Sequence, residues 1–204
     1  FVTTAGPRLA ALATGANGAI GFIPNPVDVT MDNVCSYLEH DHIYDVSFFG
    51  SLRAQQAQVT ELRRLLPDRS LGIFPGEGHK VSLSGAALLA ALGQSRIALI
   101  PSLGAPMKWY APDRVGQLFA AGCLVALPRE SGLQDLYGED GVIAYQTIDE
   151  LARRAGQLID SGHWRAMARR GRDRAIEISD ATLVVRYILD RADGRPSFDW
   201  PDWT

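Results

Sequence analysis

Cysteine, lysine and long apolar runs are scarce in this sequence, and each scarcity narrows what the chain can be. Of its 204 residues only Cys35 and Cys123 are cysteines, far apart and without metal-ligand spacing, so no cysteine-built metal centre is expected and a reducing, cytoplasmic setting is. Cys123 falls in an apolar run, where a small buried thiol is the usual state. No apolar stretch reaches the length of a membrane span, and the first residues lack the charged and apolar regions of a signal peptide. An excess of charge is also missing: a net charge of -3 and a pI near 5.8 give no general attraction to nucleic acid or an anionic membrane. Binding to nucleic acid would need a local basic patch. There is no internal repeat and no low-complexity tract. The chain begins at Phe1 rather than Met, as a fragment or processed form would.

What is present is apolar punctuation. With 47% hydrophobic and 21% charged residues the chain can bury a sizeable core as one domain with appendages. A short strand is expected at FVTT, a short helix over Pro7 to Thr14 and a strand at Ile20 to Ile23. The run IPNPVD over 23 to 28 then reads as turn and linker, because each proline fixes its own φ and holds its predecessor extended. A boundary is placed near Pro26. Beyond it, strands at Val46 to Phe49, Leu71 to Phe74, Ile97 to Ile100, Leu124 to Leu127 and Val142 to Tyr145 alternate with helices. These run from about Arg53 to Leu66, from a Ser84 cap to about Gln94, and from Pro112, in the first helical turn, to a stop at Gly122. A helical turn to Tyr137 follows. Thr147 and Glu150 have capping-box spacing for a helix ending near Ser161, and helices over 163 to 178 and 181 to 191 complete the pattern. Apolar strands alternating with helices predict an α/β, Rossmann-like, doubly wound parallel sheet.

Ligands in such sheets sit at the carboxyl ends of strands, and four stretches bear on that edge. Phe49-Gly50-Ser51-Leu52-Arg53 breaks a strand into a loop where glycine permits close backbone approach and Arg53 reaches toward a phosphate; the plain alternative is an ordinary strand-to-helix turn. Gly76-Glu77-Gly78 has part of a dinucleotide fingerprint without its third glycine or its acidic residue. The third stretch runs from Ile97 to Leu127 and carries Lys108, Tyr110, Asp113, Arg114 and Gln117. Its helix start, with free N–H groups and the helix dipole, suits an anion, phosphate foremost. The only two lysines, Lys80 and Lys108, both fall in loops at strand exits. Asp113 could instead simply complement the dipole, with Arg114 paired to it or solvated. The fourth stretch, WRAMARRGRDR from Trp164 to Arg174, has five arginines and reads as a solvated helix face.

The blocks YDVSFFGSLRAQQ, LGIFPGEG, SRIALIPS, APDRVGQLFAAGCLVALP, YQTIDELARRAGQLID and WRAMARRGRDRA together resemble the carboxyl-terminal half of GT-B glycosyltransferases. The likeness is to the group 1 branch that includes the spore-maturation-type sugar transferases, and it covers roughly Asp45 to Arg191. It implies that 28–191 is a domain binding a nucleotide-diphosphate sugar, that 1–27 is the remnant of a preceding acceptor domain with its hinge, and that 192–204 is a tail. It also implies sugar transfer to an acceptor of unknown kind (glycan, protein or small molecule), with no cofactor beyond the sugar donor as substrate and no metal. By the same likeness Gly50, Ser51 and Arg53 match the glycine-rich loop facing the donor phosphates, and Arg114 matches the arginine opening the last donor-site helix. Gln117 stands where many members have a ribose-binding glutamate, and Trp109 where they have the first glutamate of that motif. Those two departures leave a second expectation, a binding or scaffold domain without turnover. A nicotinamide oxidoreductase is a third.

Overall fold

The computed structural model describes residues 21–31, 34–50, 55–74, 83–102 and 108–195. Five strands, β1 (Tyr44–Phe49), β2 (Leu71–Phe74), β3 (Ser95–Leu99), β4 (Leu124–Pro128) and β5 (Val142–Tyr145), form one sheet in the order β2-β1-β3-β4-β5. Every pairing is parallel. Parallel strands covered on both faces must be apolar along their length, and β4 and β5 are buried at every position. Their side chains alternate between two cores. Phe49, Ala98, Val125 and Ala144 face one side, with α2 (Gly85–Gly93), α3 (Asp113–Ala120) and α4 (Gln134–Tyr137); Val46, Ile97, Leu124 and Ile143 face the other, with α1 (Gln56–Leu65) and α5 (Ile148–Ser161). The fold is thus the α/β, Rossmann-like, doubly wound parallel sheet expected of the sequence.

The helix α6 (Trp164–Ser179) joins the two cores, with Trp164 and Ala168 in one and Ala175 and Ile178 in the other; α7 (Ala181–Ala192) follows it. Its arginines overturn the reading of a solvated face. Arg165 donates to Tyr37 O at 2.5 Å, Arg170 to Asp140 O at 3.0 Å, Arg172 to Ala120 O at 2.8 Å and Arg174 to Leu136 O at 3.1 Å. Ala120 and Leu136 lie in the last turns of α3 and α4, where carbonyls have no partner within their own helix, so the guanidinium groups act as caps delivered from a third helix. Arg169, 3.7 Å from Asp173, pairs as a surface residue would, and Arg170 and Arg174 add surface pairs to the Asp140 carboxylate at 2.8 Å and to Glu177 at 2.7 Å. Where α6 crosses the turn before β5, Gly171 and Gly141 touch backbone to backbone: a Cβ on Gly171 would lie 2.5 Å from Gly141 O.

Several local expectations shift. Pro112 is the N-cap of α3, with ψ 161, rather than a residue of its first turn; its carbonyl accepts Val115 N–H at 2.8 Å. Ser84 precedes α2 without a side-chain capping bond. Thr147 Oγ1 does accept Glu150 N–H at 3.1 Å, but the Glu150 carboxylate reaches back to Gln146 N–H, at 2.9 Å, one residue before the N-cap. Residues 21–23 carry only a single-residue bridge at Phe22 in place of a strand. Gly122, at φ +69, does end α3, and a side chain there would meet the Tyr37 ring at 2.8 Å. The expected FVTT strand, the Pro7 to Thr14 helix and the aromatic tail lie outside the described residues. Burial pushes the Cys123 thiol up to about 12, so it stays protonated, and it points at Leu92 O, 3.4 Å away. No helix among the described residues is long and apolar enough to cross a membrane.

Candidate functional site

The strand order reverses direction between β1 and β3, so the carboxyl ends of those two strands open a crevice that the helices do not fill. A cleft of about 270 Å³ lies on the α2 and α3 side of this edge. Its walls come from Phe49 and Gly50 at the exit of β1, Phe74 at the exit of β2, Ser84 just before α2, Gly85 and Leu88 of α2, and Asp113, Arg114 and Gln117 of α3. One wall is apolar, with Phe49 and Phe74 stacked at 4.9 Å, and the other is polar.

Gly50 is held by its N–H to Phe74 O at 2.7 Å, and a Cβ added to it would fall 2.7 Å from Arg114 Nη1. The bare glycine lets the guanidinium come this close; a Cβ there would push it aside. Arg114 is exposed and pairs with no carboxylate among the described residues. The backbone beside it is less open. Asp113 Oδ1 accepts Arg114 N–H at 2.9 Å, so this carboxylate satisfies one of the helix's first N–H groups and complements the dipole. Of the positive features at this edge, Arg114 carries more of the site's chemistry than the helix terminus does. Gln117, one turn along α3, is half-buried in the same wall.

The structure thus brings together Gly50, Asp113, Arg114 and Gln117. Lys108 and Tyr110 are not among the cleft's described lining residues; Lys108 Nζ sits 4.5 Å above the Trp109 ring. Trp109 is turned inward at φ 55, its ring 5.7 Å from Phe22 and against Gly132, and its backbone N–H donates to Ser131 O at 2.8 Å. Ser51, Arg53 and Gly76 lie outside the described residues. So do Glu77, Gly78 and Lys80. Among the described residues no group of three or more His, Cys, Asp and Glu side chains could hold a metal ion.

Sequence reasoning missed the polar cluster at the exit of β3. Gln58 donates to Ser102 O and accepts from Ser102 N–H, both at 3.2 Å, while Ser102 Oγ donates to Glu130. Tyr145 OH holds Ile100 O at 2.8 Å. The available signal was positional, since Ser102, Glu130 and Tyr145 all follow or end strands at the ligand-bearing edge.

A family model described as glycosyl transferase-like matches residues 53–190, about two thirds of the chain. The chain belongs to the glycosyl transferase-like family. No curated protein matches it. Among solved structures this glycosyl transferase-like chain is similar to a mutant of TarM from S. aureus in complex with fondaparinux, α-GlcNAc-glycerol and UDP. The TM-score is 0.66 at 11% identity, over 94% of this chain and 43% of that one. Sucrose-phosphate synthase from Thermosynechococcus elongatus gives a TM-score of 0.62 at 14% identity, over 92% and 56%. AviGT4, a glycosyltransferase involved in avilamycin A biosynthesis, gives 0.62 at 13%, over 94% and 62%. These neighbours are GT-B glycosyltransferases, and at such identities the likeness shows the fold alone. The chain spans from 43% to 62% of their lengths.

Proposed function

We propose that this chain is the donor-binding half of a GT-B glycosyltransferase of the spore-maturation-type branch. Residues 28–191 form the nucleotide-sugar domain, 1–27 the end of an acceptor domain and its hinge, and 192–204 a tail. The observation that carries the reading is the exposed Arg114 guanidinium resting on Gly50 at the crevice between β1 and β3. In this reading the nucleotide diphosphate lies along the cleft, its phosphates bonded by Arg114 together with Ser51, Arg53 and the backbone near Gly76, and its ribose by Gln117. Lys108 and Tyr110, absent from the described lining, would join the site only from the loop before α3. As the sugar departs, negative charge grows on the diphosphate, and fixed guanidinium donors stabilise it without a metal. Binding of UDP by TarM, a neighbour in fold, supports the choice of ligand class. The setting is cytoplasmic and the acceptor is supplied by the missing half.

The test is Arg114→Ala, titrated with UDP, GDP and ADP, and with NAD to separate the oxidoreductase alternative. Loss of a charge-assisted bond weakens nucleotide-diphosphate binding by about 1.5–3 kcal/mol, while an exposed unpaired arginine contributes little to the melting temperature. Unaltered binding with a lowered melting temperature would make Arg114 structural and remove the site.

One observation favours a second reading, binding without turnover. Trp109 packs its ring on Phe22 and Gly132, so the position that by resemblance offers a glutamate to the sugar offers no carboxylate. Nucleotide binding with no release of sugar from any UDP- or GDP-sugar, alone or with an acceptor half supplied, would select it.

A further inference from the structure

The connection from β3 to α3 delivers Arg114 to the cleft, and its two described ends are tied to the same short turn. At the near end, Ser102 Oγ donates to Glu130. At the far end, Trp109 N–H bonds Ser131 O at 2.8 Å and the Trp109 ring lies against Gly132, whose Cβ would fall 3.3 Å from it. The turn 130–132 follows β4 directly, so both anchors stand on the most buried strand of the sheet. Gln58 of α1 completes the near anchor: its carboxamide bonds both the N–H and the C=O of Ser102, as a neighbouring strand would. Glu130 is exposed and its chain neighbour Arg129 pairs with Glu139 at 2.7 Å.

We propose that Glu130 and Gln58 are positioning residues for the donor site, holding the exit of β3 so that α3 presents Arg114 over Gly50. The inference rests on the donor-site reading above. It makes a claim opposite in sign to simple electrostatics. A carboxylate near an anion site repels the anion, so removing it should tighten binding if charge were its only effect. A carboxylate that orders the site should weaken binding when removed, because the ligand must then supply the ordering itself.

The experiment measures UDP, GDP and ADP affinity by calorimetry, with thermal melts, for the 204-residue chain and for Glu130→Ala, Glu130→Gln, Gln58→Ala and Arg114→Ala. Glu139→Ala serves as the charge control. Glu130→Ala is expected to weaken the best ligand about fivefold, a factor typical of one lost ordering contact, with the melting temperature within about 2 °C. Glu130→Gln keeps an acceptor for Ser102 and should bind at least as well as the parent. Gln58→Ala combined with Glu130→Ala should cost less than the sum of the two, since both hold one residue. Glu139→Ala should bind as the parent does or slightly better. If Glu130→Ala binds equally or more tightly while Arg114→Ala binds weakly, positioning is wrong and the site stands. If Arg114→Ala also binds like the parent, the donor-site reading falls and takes this inference with it.

Discussion

Replacing Gly171 with alanine tests the packing of the whole domain at one atom. Helix α6 meets the turn before β5 so closely that the new methyl would sit 2.5 Å from Gly141 O and 3.1 Å from Phe119 Cε1. An ordinary carbon contact needs about 3.5 Å, so the helix must back off by about 1 Å. Such overpacking costs about 1–3 kcal/mol. The same retreat stretches the bonds from Arg172 to Ala120 O and from Arg174 to Leu136 O, now 2.8 and 3.1 Å, adding about 1 kcal/mol. Against this stands about 1 kcal/mol gained from replacing glycine inside a helix. The net loss is about 1–3 kcal/mol, which lowers the melting temperature of a domain this size by about 2–12 °C. Gly156 of α5 gives the counter-experiment, because a Cβ there meets nothing within 4 Å. Gly156→Ala should gain most of the helix propensity, about 0.5–1 kcal/mol. Thermal melts followed by far-UV circular dichroism read both. If Gly171→Ala raises the melting temperature as Gly156→Ala does, the contact between α6 and the β5 turn is not the constraint described.

Two further outcomes follow from the caps and the histidine. Thr147→Ala removes the acceptor for Glu150 N–H and should cost about 1 kcal/mol, seen as a lower urea midpoint at unchanged slope. Burial holds His42 below its ordinary 6.5, its Nε2 2.9 Å from Ser36 O and its ring edge-on to Trp164. Because the folded state favours neutral imidazole, this contribution is fully present above 6.5 and is lost as pH falls through the lowered folded value. Melting temperatures taken from pH 8 down to about 5 should therefore decline on the acid side, and His42→Asn should flatten part of that decline.

The inner strands were legible because burial on both faces leaves an apolar run that sequence cannot disguise, and β5, buried throughout, has the bounds its residues announced; the half-buried edge strand β2 does too. Within the site, Gly50 and Arg114 were each readable as a loop glycine and a helix-start arginine, although only the fold shows that one rests on the other. The position of Lys108, with its ammonium 4.5 Å from the Trp109 ring, was not legible, because a rare residue in a strand-exit loop says nothing about where its side chain turns. The arginines of α6 were misread because charge in sequence signals solvent, whereas their partners are carbonyls at Tyr37, Ala120, Leu136 and Asp140. The Gln58–Ser102–Glu130 cluster joins three loops and helices through single contacts, which no local pattern encodes.

The bonds of α6 also set an order of events during synthesis. Carbonyls contributed by residues 37, 120, 136 and 140 all await donors from 165–174, and Val27 N–H awaits Ser179 O at 2.8 Å. A nascent chain that has emerged only as far as β5 therefore lacks residues of both cores and leaves the ends of α3 and α4 unsatisfied. The contacts made by α6 cannot close until that helix is released from the ribosome. For that interval the strands keep apolar faces open to solvent, and the helices that follow β5, the arginine-rich one last to lock both cores, cover them.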